Sequence, residues 1–490
     1  VKPVDPADAA GEVWNPTPEV VARSRLGEFL RVHRLSSLAE LQRRSIEDVE
    51  WYWDAVVRHL GVRWREPYRR VLDPSRGPMW PSWFPGGRLN LSDNCLDRHV
   101  EAGRGGRLAL SWEGDDGTTR TADYASLLDE VSRLAGALRR LDVGPGDRVA
   151  IFLPMLPETA VALLAVARLG AVAVPCFSGY AAQAVASRLQ DCGARVLVTA
   201  DAFPRRGQLV RSKETADEAV RASPSVEHVV VVRRSGRDVP WTPGRDLWWH
   251  ELVSCEAGRL EPVAVASDHP CLVVYTSGTT GRAKGAVLTQ SGFLVKGVSD
   301  FAWCHDVGDG DRLLWVSDLG WLMGPLAIAA GLFHGGTVVL FEGVPDHPRP
   351  DRLWEVVARH RVSVLGLSPT VVRVLMPHGE AHVRRHDLSS LRIFGSTGEP
   401  WNPEPYRWLF ETVGASRRPI INYTGGTEVS GGLLGCFPVA PIKACGFAGP
   451  IPGIAADVFD EQGRPVRGRV GELVVKAPWP GMTHGFWNDP

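Results

Sequence analysis

From Tyr124 onward the sequence alternates segments patterned as helices with short runs that are apolar at almost every position. A helical run reaches Leu141, a strand covers Arg148–Leu153, a helix opens at Pro157-Glu158 and a strand covers Ala171–Phe177. A further helix, Ala181–Gln190, leads to a strand over Arg195–Thr199. Strands apolar on both faces need covering on both faces, which parallel sheets with crossover helices provide. Proline at the first helical position sacrifices no hydrogen bond. The expected fold class is α/β.

A second block of the same character begins near Asp268, with strands at Leu272–Tyr275, Val362–Leu367 and Leu391–Phe394 and a helix over Asp351–His360. Two similar, mainly parallel, helix-covered sheets are therefore expected. The stretch Arg233–Val265, with its prolines and charges, reads as a linker. Ala455–Lys476 turns to short strands around a turn at Asp460-Glu461-Gln462-Gly463. The first segment is rich in tryptophan and proline, with helical patterning in Val20–Val32 and Ile46–Leu60, and reads as a cap. The predicted division is a cap over 1–98, a first α/β subdomain over 99–266, a second over 267–454 and a β-rich end over 455–490.

Bulk properties remove several function classes. With 55 basic against 56 acidic residues there is no general field to draw nucleic acid or an anionic membrane, so neither is an expected partner. The longest apolar stretch, Thr159–Pro175, is interrupted by Arg168 and Gly170 and is shorter than the roughly 20 residues a bilayer requires. Lys2, Asp5, Asp8 and Glu12 do not make a secretory signal, and a cytoplasmic location is expected. Eight scattered cysteines without CxxC spacing argue against zinc or a disulfide framework, leaving packing as their role.

The segment Tyr275–Gly285 carries the chemistry. Thr276, Ser277, Gly278, Thr279, Thr280 and Gly281 follow an apolar strand, and Lys284 precedes Gly285. Glycines allow backbone N–H groups to approach phosphate oxygens, and the hydroxyls and the lysine add donors. Two residues separate Gly278 from Gly281 where a P-loop NTPase has four, and Lys284 is followed by glycine, so that spacing is not met. Two further turns follow predicted strands: Gly395–Pro400, at the strand end where open α/β sheets place ligands, and Asn422–Glu428. A glutamate beside hydroxyls suits Mg²⁺, which takes one or two carboxylates together with nucleotide oxygens.

Tyr275–Gly285 resembles the signature loop of the adenylate-forming superfamily of acyl-CoA synthetases, adenylation domains and luciferases. The resemblance extends along the chain towards the acetyl-CoA and acetoacetyl-CoA synthetase branch, through Trp83–Asp97, Asp318-Leu-Gly-Trp321 and Gly481–Pro490. It implies ATP-dependent activation of a small carboxylic acid as acyl-AMP, then thioester formation with CoA. Transfer to a carrier protein or an amine, and a non-catalytic nucleotide-binding module, stay open as alternatives. It also implies that Gly398, Glu399 and Pro400 line the adenine and that Asn422, Tyr423, Thr424, Gly425, Gly426 and Thr427 complete the ATP site. Thr427 is placed on the α-phosphate and Glu428 on Mg²⁺, with Lys284, Thr427 and Glu428 as the catalytic set. In-line attack on the α-phosphorus needs positioning and charge neutralisation rather than a protein nucleophile. Histidines such as His334, His360 and His378 accordingly read as packing or surface residues.

Departures from the family pattern bear on the substrate. Acetyl-CoA synthetases carry tryptophans where this chain has Thr424 and Gly425, the second closing the pocket behind acetate. An acid larger than acetate is expected, lined by Leu322, Met323, Thr397 and Gly425. Gln290 and Pro325 stand where histidines are usual. A CoA phosphate contact is expected at Arg205 and Arg206, adjacent guanidiniums being suited to phosphate. Similar enzymes continue to a ribose-binding aspartate, a hinge and a small domain with a catalytic lysine. The sequence stops at Pro490, so these residues are expected to bind ATP or acyl-AMP but to form adenylate poorly.

Overall fold

The computed structural model describes residues 11–255, 258–276 and 283–489. Two large sheets dominate. The first has seven strands in the spatial order Asp246–Trp248, His228–Val232, Val196–Ala200, Arg148–Phe152, Val172–Pro175, Pro270–Thr276 and Lys284–Thr289. All neighbours are parallel except the last pair. The second has nine strands and runs from Gly449–Pro450 through Gly431–Gly435, Ile420–Gly426, Ile393–Ser396, Val364–Gly366, Arg312–Trp315, Thr337–Phe341 and Leu108–Glu113 to Thr119–Asp123. Its centre is parallel and its two ends antiparallel. The α/β reading with two similar sheets holds.

Strand membership differs from expectation at three places. The strand expected to open the second sheet, over Leu272–Tyr275, lies in the first, pairing parallel with Val172–Pro175 through Leu272 and Ala173. Leu108–Asp123 supplies the far edge of the second sheet, so the sheets cut across the division at residue 266. Arg233–Val265 is not simply a linker: Asp246–Trp248 adds an edge strand to the first sheet, and helix Trp249–Ser254 follows it. A three-residue edge strand has too short a pattern to stand out among prolines and charges.

Cap helices Pro18–Arg23, Arg25–Val32, Leu38–Glu47 and Val49–His59 are cut by capping side chains rather than by loss of apolar pattern. Ser24 accepts from the Gly27 N–H at 3.0 Å, and Asp48 accepts from the Trp51 N–H at 3.0 Å, each opening a new helix. The cap docks through Phe29, whose ring lies 4.9 Å from that of Trp303 on helix Gln290–Trp303. At the other end Ala456–Phe459 and Glu472–Val475 are short strands, as expected, and pair antiparallel; the expected turn at Asp460–Gly463 opens the segment that joins them. Among the described residues no helix is long and apolar enough to cross a membrane, and all eight cysteines are unbridged.

Arg168, the charge that interrupts the long apolar run, ends helix Pro157–Arg168 wholly buried. Its guanidinium forks onto Asp97 at 2.8 and 3.0 Å, and Arg259 reaches the same carboxylate at 2.5 Å. Gly170 follows at φ +68°, where the chain turns left-handed out of the helix and where a Cβ would press on Val265 at 2.6 Å. Burial opposes charge on Asp97, but the two guanidiniums outweigh it and hold the carboxyl below its ordinary value of 3.8. Its stabilising contribution is therefore present above that value and is lost as pH falls through the lower folded-state value. Asp97→Asn is expected to cost about 3–5 kcal/mol at neutral pH, because it leaves the buried Arg168 guanidinium uncompensated. The deficit should shrink in acid, as the wild type loses the same interaction; urea midpoints of both proteins at pH 7 and below pH 3.8 check this.

Candidate active site

Four strands of the second sheet end at one crevice. Beyond Arg312–Trp315 come Val316–Asp318, beyond Thr337–Phe341 come Glu342–Pro345, beyond Ile393–Ser396 come Thr397–Glu399, and Ile420–Gly426 runs into Thr427. Across from them, Phe177-Ser178 follow the strand Val172–Pro175 of the first sheet, and Phe203–Arg205 is one strand of a small hairpin with Gln208–Val210. Together they enclose a cavity of about 540 Å³. Ligands collect at the carboxyl ends of parallel strands because loops and outward N–H groups converge there.

Two of the three expected nucleotide motifs line this crevice, and Thr276, at the start of the other, stands beside Glu428. Ser277, Gly278, Thr279, Thr280 and Gly281 lie outside the described residues. Their flanks are defined: Thr276 and Lys284 face each other across the antiparallel pair, and the Thr276 hydroxyl is 3.4 Å from the Glu428 carboxylate. The Lys284 ammonium stands 5.3 Å from the centre of the Phe486 ring. Thr397, Gly398 and Glu399 line the cavity, with Gly398 at φ +99°, a conformation that suits glycine. The Glu399 carboxylate turns aside to accept from the Thr370 N–H at 2.8 Å and to pair with Arg373. Burial acts against its charge, yet these donors hold it below the ordinary glutamate range. Pro400 is exposed just beyond the lining.

In the third motif Tyr423, Gly425, Gly426 and Thr427 form wall, whereas Asn422 and Thr424 do not. Asn422 is buried and donates from Nδ2 to the Gly446 carbonyl at 3.1 Å. Gly425 tolerates nothing larger: an added Cβ would fall 1.8 Å from the Gly431 carbonyl oxygen on the paired strand. The bulge between Thr424 and Gly425 brings the two backbones this close.

Leu322 and Met323 line the cavity beside Trp321, whose exposure is 56%. The loop leading into them is fastened by Asp318, which accepts from the Ser178 hydroxyl at 2.6 Å and from the Gly320 N–H at 2.9 Å. Burial pushes the Asp318 carboxyl up, against these donors. Gly320 lies so near Phe177 that a Cβ would meet its backbone nitrogen at 2.3 Å. Asp318 stands in a quoted motif yet draws no role from sequence; Ser178, its partner, carries no signal at all.

The two arginines expected to act together take different directions. Arg205 lines the cavity, while Arg206 pairs with Asp346 at 2.7 Å. Arg234, unremarked in the sequence, forks onto cavity-lining Glu342 at 2.6 and 2.9 Å and reaches Asp116 at 3.0 Å. His334 and His360 are buried on protein partners, the Val298 carbonyl and Glu113 respectively, as packing residues should be.

The AMP-binding enzyme family matches residues 96–487, and the acetyl-coenzyme A synthetase N-terminus family matches residues 38–95. The acetyl-coenzyme A synthetase of Pyrobaculum arsenaticum is 41% identical over 467 residues, covering 92% of this chain and 69% of its own. That of Burkholderia mallei is 42% identical over 468 residues, covering 93% and 70%. The solved acetoacetyl-CoA synthetase from Streptomyces lividans superposes with a TM-score of 0.91 at 32% identity, over 98% of this chain and 74% of that one.

Gly425→Ala is expected to force the hairpin strands apart, lowering the unfolding temperature by several degrees and weakening ATP binding more than about tenfold, since overpacking costs roughly 1–3 kcal/mol. Calorimetric titration with ATP beside a thermal scan checks both; wild-type values in both would show that the backbones do not meet as described.

Proposed function

The chain belongs to the AMP-binding enzyme family as an AMP-forming acyl-CoA ligase, and on that premise we propose that its acid is larger than acetate. In this reading a carboxylate oxygen of the acid attacks the α-phosphorus of ATP, the bond to the β-phosphate oxygen breaks, and pyrophosphate leaves. The thiol of CoA then attacks the acyl carbon, and AMP departs. The observation that carries the acid's size is Gly425. Its backbone rests against Gly431, so it can bring no side chain into the cavity where the related acetyl-CoA synthetases have an indole. The space remains open between Thr397, Leu322 and Met323. The Streptomyces lividans relative, named for acetoacetyl-CoA, agrees with a longer acid.

Under the same proposal Gly398–Pro400 and Tyr423–Gly426 take the nucleoside, and the Thr427 hydroxyl donates to the α-phosphate. Lys284 and the loop before it take the remaining phosphate charge. The residues present fit magnesium: Glu428 is one carboxylate beside the Thr276 hydroxyl, and the described residues hold no cluster of three metal-ligating side chains. That sparse set suits an ion that keeps water and nucleotide oxygens as most of its ligands. Magnesium bound there supplies neutralisation of phosphate charge. For CoA, Arg205 on the cavity wall is the available phosphate contact; Arg206 would first have to leave Asp346.

Two measurements test the proposal. In thermal shift with ATP present, butyrate, acetoacetate or benzoate should raise the unfolding temperature more than acetate at equal concentration, since a ligand bound only to the native state stabilises it. Preference for acetate over all three would overturn the size assignment. Glu428→Gln should weaken ATP binding more than about tenfold when magnesium is present and leave it nearly unchanged when magnesium is chelated.

A further inference from the structure

Behind strand Ile420–Gly426 lies an ion pair that the proposed reaction does not use. Lys296 and Asp300 stand four residues apart on helix Gln290–Trp303, and neither side chain has any solvent exposure. Lys296 Nζ donates to Asp300 Oδ1. Asp300 Oδ2 accepts from the Tyr423 hydroxyl at 2.5 Å and from the Gly432 N–H at 2.9 Å.

Tyr423 and Gly432 belong to the two strands of one hairpin, Ile420–Gly426 and Gly431–Gly435, so a single carboxylate holds both strands. The tip between them is the turn Thr427–Val429, which carries Glu428. Little slack separates pin and tip. A Cβ at Gly431 would lie 2.4 Å from Asp300 Oδ2, and Gly431 is itself the residue that crowds Gly425. On the other side of the tip, the Thr483 N–H donates to the Glu428 carbonyl at 2.7 Å and the Trp479 indole donates to the Val429 carbonyl at 3.2 Å. Stability alone is a poor account of the pair, because desolvating two charges is costly and a well-packed apolar pair of like volume is often at least as stable.

Resting on the assignment of magnesium to Glu428, we propose that Asp300, paired with Lys296, is a positioning residue that fixes the hairpin so that Glu428 meets the metal of the bound nucleotide. A group that orients a metal ligand without touching the metal typically changes metal affinity by about 10–100-fold when removed. The effect should therefore appear in the gain in ATP affinity that magnesium confers, not in ATP affinity as such.

Calorimetry with ATP, with magnesium and with chelator, on the wild type, Asp300→Asn, Tyr423→Phe and Val298→Ala tests this, each with a thermal scan. Asp300→Asn should lose about 10–100-fold of the magnesium-dependent gain, with magnesium-free affinity changed less than about twofold; Tyr423→Phe, which removes the hydroxyl that binds Asp300, should lose a similar share of the gain whatever its magnesium-free affinity. Val298→Ala truncates a buried apolar side chain on the same helix and should lower the unfolding temperature while keeping the gain. Should Asp300→Asn fail to fold, Tyr423→Phe, which removes one hydroxyl, decides. A wild-type gain in Tyr423→Phe, or an equal loss in Val298→Ala, would overturn the positioning role. A wild type with no magnesium-dependent gain would instead bring down the assignment of Glu428 on which it rests.

Discussion

Helix Gln290–Trp303 has no exposed residue along its fourteen positions, and much of the rest is arranged around it. One end meets the cap through Trp303 and Phe29, and its middle carries the buried Lys296–Asp300 pair that holds the hairpin after Ile420–Gly426. Its opening residue, Gln290, accepts from the Leu91 N–H at 3.0 Å, tying in the last part of the cap. A helix without a wet face cannot be placed by amphipathicity; it has to be placed by partners on every side. Its neighbours are thereby held to fixed distances from one another, and the crevice inherits that precision.

Two kinds of tolerance coexist around the crevice. Gly425 and Gly320 are sites where another backbone approaches to within a methyl group, so the wall there is main chain and cannot be adjusted by rotamers. Trp321 and Leu322 are side chains on a loop fastened at Asp318, and Met323 opens the helix that follows it. A rigid floor with a wall of flexible apolar side chains suits an enzyme family in which nucleotide chemistry is common and the acid differs.

Local signals in the sequence were sufficient for local structure. Pro157 begins a helix and Leu272–Tyr275 is a strand, because each depends on residues within a turn or two. Which sheet receives Leu272–Tyr275 depends on partners a hundred residues away, and a run apolar on both faces fits either sheet. The edge strand Asp246–Trp248 is too short to carry a period. In the site, Thr397–Glu399 and Gly425–Thr427 were legible because motif and strand end coincide. Asn422 looked like its neighbours but points to Gly446, since alternate residues of a strand face opposite ways. The splitting of Arg205 from Arg206 was not legible, because it rests on Asp346, remote in the chain. Lys296 and Asp300 have helical spacing, which alone reads as a surface pair; only their burial makes them unusual.

The pairs Arg206–Asp346 and Arg234–Glu342 join loops of the first sheet to the single loop that follows Thr337–Phe341 in the second. They work as two stitches across the rim, and they differ in their sensitivity to the medium. The Arg206 side chain is 55% exposed and the Arg234 side chain 14%, so dissolved ions screen the first far more than the second. Raising ionic strength thus loosens the stitch at Arg206 and leaves the one at Arg234 nearly intact, so the two ends of the seam answer differently to salt.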